Sequence, residues 1–341
     1  MSEVDPNALA VRDSGMFGLE FDAESSRFHI YSVPFEATTS FRQGTARGPL
    51  AILHASHQVE LLDLEFGRPY EAGIAWMGEV EGIEELNRRA CELTSSIRDA
   101  SDSNRAVDVA TQTVNEIGAE VNALVKSVTQ LTLEQDKVPV ILGGDHSVPF
   151  GAWSAAAEAH PGLGLLHFDA HTDLRSAYEG FTWSHASVVG NAVRELSGLE
   201  RIVQVGVRDT CDEELSLIAA SEDRIRTVFD HDWAHAKLEH QDLAAVARRH
   251  IAALPDRVWI TFDIDGLDPT LCPNTGTPVP GGLDWRDVAI WLSELKRSGK
   301  RVVGIDLVEV APGYDRPLGE GWDEIVAARL LYRLLAIPNQ V

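Results

Sequence analysis

Residues 166–175, LHFDAHTDLR, place acidic and histidine side chains at alternate positions directly after an apolar run. These side chains belong to Asp169, His171 and Asp173. In an extended segment, alternate side chains share a face, so the three are expected to point the same way. They form either the polar face of an edge strand or part of a site for a divalent cation, which relieves the cost of burying carboxylates together.

Comparable polar stretches follow other apolar runs along the chain. They are GGDHS (143–147), GVRD (206–209), DIDGLDP (263–269) and EVAP (309–312). Each stretch alone is explained by a helix cap or a turn. Together they indicate a site, because ligands of open α/β sheets bind beyond the carboxyl ends of the strands.

The side chains predicted to converge at this edge offer four carboxylates and two imidazoles. They are His146, Asp169, His171, Asp173, Asp263 and Asp265. Two metal ions that share bridging carboxylates would use the whole set. A ligand set without thiolate favours an ion such as Mn²⁺ over zinc held by cysteine, and a paired site of this kind makes hydroxide available near neutral pH.

The elements that must position these residues are short runs rich in Val, Ile and Leu, separated by helix-like segments. The runs predict strands over 28–35, 138–144, 162–168, 201–207, 257–264 and 301–310. Apolar residues at helical spacing predict helix over most of 84–135. This alternation is typical of an α/β fold with a mostly parallel sheet and helices on both faces.

The chain shows no composition break that would divide it into several domains. Residues 28–341 are therefore interpreted as one catalytic domain, and the polar residues 1–27 as an N-terminal arm or loop. Residues 66–105 are interpreted as a lid or a subunit contact.

Composition excludes several classes of partner. The formal net charge is 29 − 53 = −24, which argues against nucleic acid and anionic membranes. Three widely spaced cysteines without a CxxC pattern indicate no disulfide framework and fit a reducing cytoplasm. The N-terminal residues do not resemble a signal peptide, and no apolar run reaches the roughly 18 residues of a membrane helix.

GGDHS, DAHTD, and FDIDGLDP followed by TGTPVPGG occur in an order that resembles the ureohydrolase family, which includes arginase and agmatinase. The resemblance extends over about residues 28–336. It implies an arginase-type three-layer α/β fold and hydrolysis of a guanidino group to urea and an amine. It also implies two Mn²⁺ ions per subunit, with Ni²⁺ or Co²⁺ as possible replacements, and a homo-oligomer, either a trimer or a hexamer.

The resemblance also implies a role for each metal ligand. One ion would be held by His146, Asp169, Asp173 and Asp263. The other would be held by Asp169, His171, Asp263 and Asp265. Asp169 and Asp263 would therefore bridge the two ions.

Three residues are expected to be catalytic on the same basis. Glu309 matches the glutamate that binds the guanidinium, for which a carboxylate is the suitable partner. His185, in WSHAS, matches the histidine that passes protons to the leaving amine, although Ala186 follows where the family more often has glycine. The ligand Asp173 is grouped with them.

Two positions bear on the substrate. Arg175 stands where arginases carry an asparagine that helps to bind the substrate carboxylate. Arginases also bind the α-amino group with a pair of acids, of which only the first, Asp209, is present here. Both differences disfavour arginine and favour agmatine, which Glu179 would also attract. An arginine in that place would instead attract a carboxylate, so a guanidino acid such as guanidinobutyrate is the second expected substrate. The motifs also leave open an arginase, a formimidoylglutamase, a metal-dependent deacetylase or a non-catalytic relative.

Other residues that could ligate metals have simpler interpretations. His167 shares the parity of the ligands but lies inside an apolar run, which predicts a core histidine. His231, His235 and His240 are interpreted as a solvated helix face, and Cys272 as an unreactive loop residue near the site.

Overall fold

The computed structural model describes residues 6, 9–10, 14–100 and 105–338. Within these residues eight strands form one sheet, in the order β2-β1-β3-β8-β7-β4-β5-β6, and every neighbouring pair is parallel. The strands are β1 Phe28–Val33, β2 Ile74–Glu79, β3 Val138–Gly143, β4 Leu163–Phe168, β5 Leu199–Val207, β6 Ile225–Phe229, β7 Arg257–Asp263 and β8 Arg301–Val308.

Ten α-helices lie on the two faces of this sheet in the described part of the chain. They are α1 Gly48–Ser56, α2 Ile83–Asp99, α3 Arg105–Glu134, α4 Phe150–Ala159, α5 Val188–Glu195, α6 Asp212–Ala220, α7 Asp230–Leu238, α8 Leu243–Ile251, α9 Trp285–Arg297 and α10 Trp322–Leu335. One apolar core lies between the sheet and helices α1 and α7–α10, and the other lies under α2–α6. The three layers confirm the predicted α/β architecture.

All six predicted strands are present, and the predicted helical region is found as α2 and α3. Two strands, β2 and β6, are not predicted from the sequence. Both lie at the edges of the sheet and are partly exposed, so they lack the continuous apolar pattern of a strand buried on both faces.

The described part of the predicted N-terminal arm packs against the body of the protein. Met16 and Phe17 are buried, and the Phe17 ring contacts Tyr332 of α10 edge to face. Residues 66–105 contain β2 and α2, which are an edge strand and a helix packed against α3. None of the helices in the described residues is long and apolar enough to cross a bilayer.

Candidate metal centre

The six predicted metal ligands come together at the carboxyl edge of the central strands. β3, β8, β7 and β4 are neighbours in the sheet, so the loops that follow them meet although they are far apart in sequence. His146 follows β3, the DAHTD ligands follow β4, Asp263 ends β7, and Asp265 lies in the adjoining short turn. All of them are buried except His171, which is partly exposed.

His146 lies at the centre of the first group of ligands. Its Nδ1 is 2.9 Å from Oδ2 of Asp169, 3.1 Å from Oδ2 of Asp173 and 3.2 Å from Oδ2 of Asp263. This nitrogen is buried and makes no hydrogen bond of normal geometry to any described residue. A nitrogen with no partner, surrounded by three carboxylate oxygens, fits a bound cation.

A second group forms around His171. Its Nδ1 is 3.3 Å from Oδ1 of Asp169 and 3.2 Å from Oδ2 of Asp265. Asp169 thus presents one oxygen to each histidine, as a bridging ligand would. Asp263 presents Oδ2 to His146, while its Oδ1 accepts the backbone N–H of Asp265 at 2.9 Å, so its bridging role stays a prediction.

The carboxylates of this site are held in an unfavourable electrostatic environment. Burial, with the nearby Asp265 and Asp169, raises the pKa of Asp263 well above its usual range. Burial and Asp169 also raise the pKa of Asp173 to about 6. Burial opposes ionisation of Asp169 too, but the neighbouring histidines, His167 foremost, hold its pKa well below the usual range. Divalent cations relieve this crowding, and the donor set of carboxylates and imidazoles fits a pair of ions such as Mn²⁺.

Glu309 follows β8 and lies against the same group. Its Oε1 accepts the backbone N–H of His146 at 3.0 Å, whereas its Oε2 is buried without a partner among the described residues. A Cβ at position 276 would lie 3.0 Å from this Oε2, so Gly276 of the TGTP segment keeps the space beside it open. Burial, followed by the nearby Asp145 and Asp265, raises the pKa of Glu309 well above its usual range.

The backbone is strained at two residues of this candidate site. Asp173 and Glu309 have φ angles of 54° and 61°, in the left-handed region that side chains other than glycine rarely adopt. At Glu309 two hydrogen bonds hold this conformation. The backbone N–H of Glu309 donates to the Gly144 carbonyl, and the Thr275 hydroxyl donates to the Glu309 carbonyl. Such strain commonly marks functional sites.

His185 is placed by a contact that crosses to the loop after β1. Its backbone N–H donates to the Thr38 hydroxyl at 3.1 Å, and that hydroxyl donates to Oδ2 of the buried Asp145 at 2.8 Å. The ring nitrogens Nδ1 and Nε2 lie 3.4 Å from the hydroxyls of Thr38 and Ser40, respectively. Burial, with the nearby His171 and His146, lowers the pKa of His185 to about 4, so the ring is neutral at pH 7.

A cavity of about 310 Å³ opens next to these residues. Its walls include the predicted site residues His171, Asp173, Arg175, His185 and Asp209. Glu309 is not part of the wall.

The charged residues in and near this cavity differ in whether an opposite charge balances them. Arg175 is half-buried, and its guanidinium lies 5.2 Å from the centre of the Tyr178 ring. Asp209 is exposed. Glu179, which we expected to attract a cationic substrate, forms an ion pair of 2.8 Å with Arg98.

The residues that the sequence excludes as metal ligands lie where it predicts. His231, His235 and His240 are exposed, on α7 or just after it. Cys272 is buried in a loop, its thiol donates to the Ile264 carbonyl, and burial raises its pKa well above the usual range, which makes it unreactive. His167 is fully buried with both ring nitrogens hydrogen-bonded, which confirms the prediction of a core histidine.

Similarity to known proteins covers nearly the whole chain. Residues 26–336 match the arginase family. An N(1)-aminopropylagmatine ureohydrolase of Thermus thermophilus is 33% identical, over 93% of this chain and 92% of that protein. The agmatinase of Bacillus cereus is 32% identical, over 86% of each chain.

Solved structures give the same picture. The agmatine ureohydrolase of Thermoplasma volcanium has a TM-score of 0.70 and 28% identity, over 92% of this chain and 90% of that one. This chain therefore belongs to the arginase family and has its three-layer fold. It is a hydrolase that acts on guanidino C–N bonds.

Proposed function

We propose that this protein hydrolyses a terminal guanidino group to urea and an amine with two Mn²⁺ ions, and that its substrate is agmatine. The observation that carries the proposal is the unpartnered Oε2 of Glu309, buried beside the His146 group. A buried carboxylate oxygen without a partner is costly, and a guanidinium N–H would satisfy it with a charge-assisted hydrogen bond. The substrates in the names of the relatives, agmatine and aminopropylagmatine, support the choice of substrate.

The metal ions would be held as the two groups of ligands suggest. One ion would lie among the side chains of His146, Asp173 and Asp263. The second would lie between His171 and Asp265, and Asp169 presents an oxygen to each of the two groups. Bound ions of this kind lower the pKa of water, so that hydroxide is available for attack near neutral pH.

The protein's own residues would orient the substrate and move its protons. Glu309 would hold the guanidinium plane by accepting an N–H at Oε2. Asp173 lines the cavity and also contacts His146, so it would lie beside the reacting carbon of a guanidino group bound there. His185 is neutral at pH 7 and lines the same cavity, so it can accept a proton and deliver it to the leaving amine.

A guanidino acid such as guanidinobutyrate is the second candidate substrate, and Arg175 is the observation that favours it. No carboxylate of the described residues lies within ion-pair distance of this half-buried guanidinium, which faces the cavity from beside Tyr178. It could pair with a carboxylate at the far end of the substrate.

A urea-release assay tests the proposal directly. With Mn²⁺, agmatine should give the highest kcat/KM among agmatine, guanidinobutyrate, guanidinopropionate, arginine and guanidine. Formimidoylglutamate is tested separately by the glutamate that it releases, because its hydrolysis yields formamide and no urea. Elemental analysis should find about two ions per chain, as a bridged pair requires. Chelated protein is the negative control, and parallel assays with Ni²⁺ and Co²⁺ test the choice of metal. Absence of urea from every compound would refute the function, and a preference for guanidinobutyrate would replace agmatine as substrate.

Thr38→Val should slow catalysis without removing metal. The change deletes the hydroxyl that links His185 to Asp145, so the imidazole loses its fixed position. Because proton transfer by a positioned side chain contributes 10²–10⁴-fold, we expect kcat to fall by about 10-fold or more. Thr38→Ser, which keeps the hydroxyl, is the matched control and should retain activity. An unchanged kcat in Thr38→Val would show that this contact does not position the histidine.

The remaining expectations are also proposals. We propose a cytoplasmic homo-oligomer, a trimer or hexamer, built from a single catalytic domain over residues 28–341. A groove of about 850 Å³ beside α10 supports an oligomer, because Leu62, Leu64 and Trp322 are exposed in its walls. The charge of −24 supports the absence of nucleic-acid and membrane partners.

A further inference from the structure

A row of polar side chains crosses the sheet just below the metal ligands. We call it the polar ladder, and it consists of Asp306 (β8), Thr261 (β7), His167 (β4), Gln204 (β5) and Thr227 (β6). Each of these residues is in register with the next across a strand pair, so all five project from the same face of the sheet. The first four are fully buried. Buried polar groups are almost always hydrogen-bonded. Because each side chain has known donors and acceptors, it can be worked out which atom donates in each of these bonds.

At the β8 end, the direction is set by two tryptophans. The indole N–H groups of Trp153 and Trp259 both donate to Oδ2 of Asp306, at 2.8 and 2.7 Å. The other oxygen, Oδ1, accepts the Thr261 hydroxyl at 2.6 Å. Since an indole can only donate, Oδ2 must be an acceptor.

This direction decides the proton position of His146. Burial raises the pKa of Asp306, but His146 and the donors Thr261, Trp153 and Trp259 oppose this shift by favouring the charged form. Oδ1 of the ionised carboxylate can only accept, so the Thr261 hydroxyl donates to it and the Thr261 oxygen accepts the Nε2–H of His146 at 2.9 Å. A neutral imidazole protonated at Nε2 carries its lone pair at Nδ1. That nitrogen is the one surrounded by the three carboxylates of the first group.

The sequence makes room for this arrangement at Gly304. A Cβ at this position would lie 2.0 Å from the Trp259 ring, so any larger residue would displace the indole. The register of β7 and β8 shifts between Val258 and Trp259, which pairs Trp259 with Gly304. This close contact explains why a glycine stands in the middle of a buried strand, because only a residue without a side chain leaves room for the indole ring.

At the other end, the ladder fixes His167. The Thr227 hydroxyl donates to Oε1 of Gln204 at 2.9 Å, and the amide Nε2 donates to the Thr172 carbonyl at 2.8 Å. The amide nitrogen therefore faces Nδ1 of His167, 3.0 Å away, as a donor. His167 must then carry its proton on Nε2, which donates to Oδ2 of Asp169 at 2.8 Å. It orients a predicted bridging carboxylate and is not itself a ligand.

We propose that the polar ladder sets the metal affinity of the site by fixing the proton positions of these two histidines. His146 then offers an unprotonated Nδ1 to the metal, and Asp169 is held in place by an N–H of His167. The ladder residues are positioning residues, which act through His146 and Asp169. The proposal rests on the proposed function only in requiring that the site bind divalent ions.

Thr261→Val tests the proposal with little change of shape. The valine cannot accept the Nε2–H of His146, so the proton is free to move to Nδ1. We expect Mn²⁺ affinity to fall about 10–100-fold for one of the two ions, as is usual when a group behind a metal-bound histidine is lost. The measurement is a titration of metal-free protein with Mn²⁺, followed by the electron paramagnetic resonance signal of free Mn²⁺. Thr261→Ser keeps the hydroxyl and should retain wild-type affinity.

Asp306→Asn is a second, independent variant. The two indole donors hold the amide oxygen on their side, so the amide nitrogen faces Thr261 and donates to it. Thr261 must then donate to Nε2 of His146, which moves the imidazole proton to Nδ1. We expect a loss of Mn²⁺ affinity similar to that of Thr261→Val, and a double variant no weaker than either alone, because both act through one hydrogen bond.

The outcomes separate this inference from the proposed function. Wild-type affinity for both ions in Thr261→Val and Asp306→Asn, in protein whose unfolding temperature shows that it is folded, would overturn the role of the ladder. Equal losses in Thr261→Val and Thr261→Ser would also overturn it, because they would indicate a packing effect. A wild-type protein that binds no Mn²⁺ would overturn both proposals. A wild-type protein that binds two ions but releases no urea would refute the function and leave the ladder supported by the variants.

Discussion

Asp263→Asn is expected to abolish urea release, with a loss on the order of 10³-fold or more, because the paired metals make the nucleophile. It should also lower the bound metal from about two ions per chain to one or none, as the loss of a bridging ligand implies. Oδ2 of Asp263 lies 3.2 Å from Nδ1 of His146, at the centre of the first group. An amide is a far weaker ligand than a carboxylate. Elemental analysis and a urea-release assay measure the two effects.

The protein should remain folded, which makes this variant interpretable. The amide oxygen of Asn can still accept the backbone N–H of Asp265, as Oδ1 of Asp263 does now. The substitution also removes a buried charge that is held among other acids, and burial raises the pKa of that group well above its usual range. Metal-free Asp263→Asn should therefore unfold at a temperature no lower than metal-free wild type.

Asp268→Asn is a matched control from the same DIDGLDP segment. The Asp268 carboxylate caps its own turn by accepting the backbone N–H and the hydroxyl of Thr270, and it belongs to neither group of metal ligands. The variant should keep both ions and full activity. Two bound ions and normal urea release in Asp263→Asn would show that the ligand set is wrong.

The central strands could be predicted because burial on both faces leaves a continuous apolar run in the sequence. β4 is buried at all six positions, and β3 likewise. The edge strand β2 alternates between buried and exposed residues and contains Gly78, and β6 is only partly buried. A half-exposed parallel edge strand resembles a loop or a short amphipathic segment in sequence, which is why neither strand is predicted.

The convergence of the six candidate metal ligands could be predicted because they follow strand ends in recognisable motifs. The polar ladder could not, because its members lie inside apolar runs and meet only through the strand order. Thr261 and Asp306 are 45 residues apart, and Gln204 lies 37 residues from His167. His167 alone was conspicuous. Its interpretation as a core residue is correct, but its bond to Asp169 connects it to the site.

The side-chain partner of Glu179 likewise could not be predicted from the sequence. The position of Glu179 near the DAHTD motif suggested an acid that attracts a cationic substrate. In the structure its side chain pairs with Arg98 of α2, 81 residues away, so its charge is already balanced. Sequence proximity identified the residue as near the site but could not show its partner.

Glu309→Gln is expected to impair substrate binding while leaving the metal in place. The change keeps the shape of the side chain, and the amide oxygen can still accept the N–H of His146. It replaces the oxygen that would pair with the guanidinium by an amide NH2, which is uncharged and can only donate. Loss of one partner of a buried charge pair costs about 2–5 kcal/mol, so kcat/KM should fall by about 30- to 5,000-fold, with about two ions still bound. Steady-state kinetics with agmatine and elemental analysis measure the two quantities.

The matched control for this variant is Glu324→Gln. Glu324 is equally buried, but its Oε1 accepts the backbone N–H of Gly321 at the start of α10, away from the metal ligands. Its loss of charge should change the unfolding temperature and leave kcat/KM unaltered, which separates the removal of any buried carboxylate from the removal of this one. An unchanged kcat/KM in Glu309→Gln would show that the guanidinium is bound by other groups. Loss of metal in the same variant would mean that Glu309 supports His146 rather than the substrate.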